Sequence, residues 1–229
     1  MSIFGEEKFI VANFKQGGSK ETFYNWLKDF KLGLKDLGEL KINIVLCPSF
    51  PFLDLFKTEL SEVFNFQKRI FIGSQNLSAF ENLENTGEVS AETLKEFANF
   101  SIVGHSERKE NFDQVTRKYE QALKNGIVPI VCFYENKSVY SFENCLFAYE
   151  DPKAISKEGV FQEKNFNEMI GIIEDLKEMF DSKPVLYGGS VKPDNAQMVK
   201  DLNFFKGVLV GRSSLNPESF LQIVKIYNN

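Results

Sequence analysis

Eight short runs rich in valine, isoleucine and phenylalanine punctuate the 229-residue chain: FIVANF (9–14), INIVLC (42–47), IFIGSQ (70–75), SIVGH (101–105), IVPIVC (127–132), CLFAYE (145–150), PVLYGG (184–189) and GVLVGR (207–212). They are continuous in apolar character, as strands covered on both faces must be. Between most of them lie stretches of helical period, among them 22–33, 112–126, 166–180 and 217–227. Asn125-Gly126 supplies a helix stop, and Pro217 suits a first helical turn. Strand and helix in alternation imply parallel strands joined by helical crossovers. Eight units in 229 residues leave about 29 each, close to the roughly 30 that a strand–helix–strand unit takes. The expected fold is α/β, a closed (β/α)8 barrel spanning 1–229 as one domain, although periodicity alone does not exclude an open sheet. One stretch breaks the rhythm: FYENKSVYSFEN (133–144) is too short and too broken for a full crossover helix, which predicts a turn or two there.

The chain is 43% hydrophobic, enough for a large core, and has no apolar run of membrane length. A net charge of −5 argues against nucleic-acid or membrane-surface partners, which call for concentrated lysine and arginine. The opening MSIFGEEKFIVANFK lacks the basic and apolar regions of a cleaved leader, so a cytoplasmic location is expected. Cys47, Cys132 and Cys145 form no CxxC pair and read as reduced core thiols. With a single histidine as well, no metal centre is expected, and no cofactor is called for.

In a parallel barrel, catalytic groups collect at the C-terminal ends of the strands. Polar residues end the apolar runs at that side: Asn13 and Lys15, Gln75, His105, Glu150, Gly188-Gly189-Ser190, and Gly211-Arg212. Each alone is an ordinary strand end, and His105 alone reads first as a core histidine. Several ionisable groups on one rim point instead to a site.

The ordered motifs NFK (13–15), QN (75–76), TGEVS (86–90), GHSER (104–108), AYE (148–150), YGGSV (187–191) and VLVGRSSL (208–215) resemble those of the triosephosphate isomerase family over nearly the whole chain. The resemblance implies a TIM barrel that interconverts D-glyceraldehyde 3-phosphate and dihydroxyacetone phosphate through an enediol(ate). It makes Glu150 the base and His105 the electrophile. A short helix at Ser106-Glu107-Arg108 would aim its N–H groups at the imidazole and keep it neutral. Lys15, with Asn13 beside it, would hold phosphate and developing charge. Glu107 would pair with the lysine, Arg108 would support a subunit interface, and Gln75 would be a supporting residue. The N–H groups of Ser190, Gly211 and Arg212 would cradle the phosphate, with the Arg212 side chain directed elsewhere.

The sequence departs from the family after Glu150. Members usually continue with proline and an apolar stretch ending in Gly-Thr-Gly, whereas this chain reads DPKAISKEG (151–159). Ala154 and Ile155 remain, which implies a closing loop with a stiffer C-terminal hinge and Ser156 as a further phosphate ligand. Alternatively, Lys153 and Lys157 form a positive rim without a tight lid. CFYE (132–135) also lacks the usual glycine. At position 212, arginine stands where the family commonly has a second glycine. ENTGE (84–88) resembles a loop that enters a neighbouring subunit, implying a homodimer, with tetramers known among shortened members. Two other readings fit the same residues: a different phosphosugar isomerase, and a non-catalytic phosphate-binding barrel.

Overall fold

In the computed structural model, which describes residues 4–134, 137–150, 154, 164–180 and 182–229, all eight apolar runs are strands. They are β1 (Phe9–Asn13), β2 (Asn43–Cys47), β3 (Ile70–Ser74), β4 (Phe100–Val103), β5 (Val128–Phe133), β6 (Leu146–Tyr149), β7 (Val185–Tyr187) and β8 (Gly207–Val210). Each pairs in parallel with the next, and β8 returns to β1, closing the barrel. At the seam Phe9 lies opposite Gly207 and Ala12 opposite Val210. A Cβ at Gly207 would stand 1.8 Å from the Phe9 carbonyl oxygen, and φ there is +139°, so only glycine lets the last strand approach the first.

Successive side chains along a strand point to opposite faces, which explains why these runs are apolar throughout. Phe9, Val11, Val45, Ile102, Ile130 and Leu209 belong to one buried cluster. Their neighbours Ile10, Ala12, Ile44, Leu46, Val131 and Val208 belong to a larger one that includes helix residues.

The helices are α1 (Lys20–Leu37), α2 (Leu53–Glu59), α3 (Ser61–Phe66), α4 (Ala91–Leu94), α5 (Phe112–Lys124), α6 (Phe166–Phe180), α7 (Pro193–Asp201) and α8 (Pro217–Asn228). Local chemistry sets their ends. Ser19 caps α1, and Asn111 with Gln114 forms a reciprocal capping box on α5. Pro217 opens α8, and Gly126 follows α5 with φ +74°, as the sequence suggests. A cluster of aromatic rings packs at α1. Phe14 meets Trp26 at 4.9 Å and Phe56 at 5.3 Å, and Trp26 stacks on Phe30 at 4.9 Å. The Trp26 Nε1–H donates to the Ser214 carbonyl at 2.9 Å, tying α1 to the loop after β8.

The predicted irregularity is present. β5 runs on to Phe133, and the connection to β6 contains a 3-10 segment, Lys137–Ser141, with no α-helix among its described residues. Phe142 closes this side by stacking on Tyr119 of α5, 4.1 Å between ring centroids. Cys47, Cys132 and Cys145 are buried and free.

Candidate active site

The end of β1 supplies a buried amide and a cation. Asn13 is 5% exposed, and its Oδ1 accepts the Lys15 backbone N–H at 3.0 Å. That bond holds Lys15 at φ +52°, a left-handed conformation uncommon for a lysine and therefore one that the surroundings must impose. Ser214 Oγ donates to the Asn13 carbonyl at 3.2 Å, linking the loops after β1 and β8. The Lys15 ammonium pairs with Glu107.

The end of β4 supplies the imidazole. After Gly104 the chain turns through His105 into a 3-10 turn, Ser106–Arg108. The Glu107 N–H donates to His105 Nδ1 at 3.2 Å. A lone pair must therefore occupy Nδ1, which leaves Nε2 to carry the proton of the neutral ring. Nε2 lies 3.0 Å from Glu150 Oε1, and the other carboxylate oxygen accepts the Ser106 N–H at 3.1 Å. The expected N–H to the ring is present, but its expected dominance is not. Burial, the largest influence, disfavours the imidazolium, yet the Glu150 carboxylate and then Glu107 outweigh it, so the His105 pKa is raised.

Glu150 itself is 3% exposed. It follows β6, where its N–H donates to the Phe133 carbonyl at 2.9 Å. Beside it a Cβ at Gly188 would come within 2.9 Å of Glu150 Cγ, so the loop after β7 approaches closely only because that residue is glycine.

These groups converge. Asn13, Lys15, His105, Glu150, Gly188, Ser190, Gly211 and Arg212 line one pocket at the C-terminal end of the barrel. Ser190 adopts φ +50° at its edge. A wider cleft adjoins it, lined by Lys15, Gln75, Asn76, His105, Glu107 and Arg108. Gln75 thus lines only the cleft, and its Nε2 donates to the Cys47 carbonyl at 2.8 Å. Ser156 lies outside the described residues, as does all of 151–159 except Ala154, which is buried.

One group behind the site goes unmarked in the sequence. Glu110 Oε2 accepts the Gly104 N–H at 3.1 Å, and Oε1 accepts from Arg108 Nε and Lys118 Nζ, each at 2.5 Å. Lys118, almost fully buried, also reaches Asn76 Oδ1 at 2.5 Å. Burial works against the Glu110 carboxylate, but the bonds from Lys118 and Arg108 prevail and lower its pKa. The loop carrying His105 is thereby fastened at both ends to α5. Position 110 reads as one more charge in SERKEN, and only the position of Lys118 on the inner face of α5 gives a hint of the pair.

Fold and site together define a parallel (β/α)8 barrel with a closely paired imidazole and carboxylate at its C-terminal rim, beside a lysine and glycine-containing loops. The chain belongs to the triosephosphate isomerase family, whose model matches residues 8–227. Similar curated proteins include triosephosphate isomerases of Polynucleobacter asymbioticus, 32% identical over 93% of this chain and 97% of the relative, and of Wolbachia sp. subsp. Brugia malayi, 32% identical over 94% and 96%. The solved triosephosphate isomerase of Bartonella henselae shares the fold at TM-score 0.73, with 24% identity, covering 97% of this chain and 100% of its own.

Proposed function

We propose that this chain, acting as a single barrel domain, interconverts D-glyceraldehyde 3-phosphate and dihydroxyacetone phosphate, with Glu150 moving the proton between adjacent carbons. The observation that carries the reading is the His105 Nε2 to Glu150 Oε1 approach of 3.0 Å inside a pocket that also contains Lys15. A substrate entering there displaces Glu150 from the imidazole. The freed carboxylate takes a proton from the carbon beside the carbonyl and returns it to the neighbouring carbon. His105, which accepts at Nδ1, donates through Nε2 to the substrate oxygens as charge develops on them. Removal of Glu150 from its side also withdraws the chief influence that raises the imidazole pKa, so the ring is most readily neutral when substrate is bound. Lys15 shares its charge between phosphate and enediolate, and Asn13 holds it in place. Backbone N–H groups of Ser190, Gly211 and Arg212 take the phosphate oxygens, with Ser156 as a fourth contact.

The assembly belonging to this reading is a homodimer in the cytoplasm. Its support is the exposed loop 80–88, whose Leu83 is 98% exposed, together with three buried, unpaired cysteines suited to a reducing compartment. Among the described residues no helix is long and apolar enough to cross a membrane.

A coupled assay of the purified protein on D-glyceraldehyde 3-phosphate tests the reading. Glu150→Gln should lower kcat by about 10³-fold, the range for losing a general base. Wild-type turnover no greater than that of the variant would exclude the activity, and turnover confined to other phosphosugars in a substrate panel would reassign it.

A further inference from the structure

Among the described residues, the charges around the pocket leave one cation uncommitted. Lys15 is paired with Glu107, and His105 faces Glu150, so these four groups carry no net positive charge among them. A phosphate dianion needs more than that. Arg212 lines the same pocket and opens the 3-10 turn Arg212–Leu215. Its side chain is exposed and has no ion-pair or hydrogen-bond partner among the described residues. The residue before it touches the other cation: a Cβ at Gly211 would lie 3.0 Å from Lys15 Cε. Arg212 therefore follows directly on the residue that approaches the lysine, in the pocket that Ser190 and Gly211 also line.

We propose that the Arg212 guanidinium, in addition to its backbone N–H, grips the substrate phosphate and sets the preference of this site for dianionic substrates. This rests on the reading above and reverses the expectation that the side chain points away. The chemistry suits the task. A guanidinium presents paired N–H donors that match two phosphate oxygens, and it stays charged at any working pH. The neighbouring Lys15 can then turn part of its charge to the reacting oxygens, while the arginine holds the phosphate in place.

Binding separates this proposal from the proposed activity. Calorimetric titration of 2-phosphoglycolate and of inorganic phosphate should show Arg212→Met weakened about tenfold or more for both, the loss expected of a charge-assisted hydrogen bond. Arg212→Lys should lie between the variant and wild type. The difference between wild type and Arg212→Met should shrink as salt is raised, because the group is exposed. In the isomerase assay, KM for D-glyceraldehyde 3-phosphate should rise in Arg212→Met, and kcat/KM should fall more for that substrate than for unphosphorylated D-glyceraldehyde. Equal affinity of wild type and Arg212→Met for both anions overturns the proposal. If wild type binds 2-phosphoglycolate yet isomerises nothing, the assigned activity falls, and the affinity ratio still decides the role of Arg212.

Discussion

Two neighbouring sectors of the barrel meet the same packing requirement by opposite means. From β4 to β5 the chain has a capped, thirteen-residue helix, α5, fastened to the loop of His105 by the buried Glu110–Lys118 pair. From β5 to β6 its described residues form only a 3-10 segment, yet the two strands keep four paired residues, Ile130 with Leu146 through Phe133 with Tyr149. The missing helix is replaced by rings borrowed from either side. Phe142 stacks on Tyr119 and lies over Phe112 of α5 at 6.0 Å, while Phe133 stacks on Phe180 of α6 at 4.6 Å. A parallel strand pair needs apolar cover, and the cover need not come from its own crossover. The polar sector positions chemistry; the aromatic sector keeps the barrel shut.

The largest expected effect tests the polar side of this contrast. Glu110→Gln leaves the Lys118 ammonium buried without its carboxylate, which costs about 3–5 kcal/mol, measurable by urea unfolding. It should also lower kcat, because the Gly104 N–H that anchors the His105 loop loses a charged acceptor. The pH dependence has a definite sign. Since the folded Glu110 pKa is lowered, its contribution is complete above the ordinary glutamate value of about 4.3 and is lost as pH falls through the lower folded value. The stability gap between wild type and Glu110→Gln should therefore narrow in acid.

On the aromatic side, Phe142→Ala should cost about 3 kcal/mol through loss of buried ring area and the cavity left behind. Its kcat should remain near that of wild type, which would separate closure of the barrel from positioning of the site. A smaller effect sharpens the same point. Tyr119 Oη donates to the Glu143 carbonyl at 3.0 Å and accepts the Glu143 N–H at 3.1 Å, so it pins the short connection at one residue. Tyr119→Phe should lose about 1 kcal/mol while the ring stack persists. If Phe142→Ala is no more destabilising than Tyr119→Phe, the connection is held by hydrogen bonds and not by its rings.

The strands and the rim were legible because burial on both faces leaves an unbroken apolar run, and because a polar residue ending such a run is conspicuous. His105 and Glu150 emerged that way, as did the irregular 133–144 segment, whose composition resists helical period. What filled the gap was not legible, since Phe112 and Phe142 are far apart in sequence and no local pattern announces that they meet. Glu110 was hidden for the opposite reason: among Glu107, Arg108 and Lys109 it reads as part of a solvated run, and only burial distinguishes it. The upward pull on the His105 pKa was not legible, because the N–H of Glu107 is local and can be foreseen, whereas the 3.0 Å approach of Glu150 joins the ends of β4 and β6, which are far apart in sequence.

The central claim is that Glu150 transfers a proton between adjacent carbons of a triose phosphate held against His105. Proton NMR of dihydroxyacetone phosphate incubated in D2O tests it most directly. Wild type should wash solvent deuterium into the carbon-bound position as isomer forms, and Glu150→Gln should suppress exchange and isomerisation together by about 10³-fold. Exchange that proceeds undiminished in Glu150→Gln, or isomerisation that survives its loss, would contradict the account.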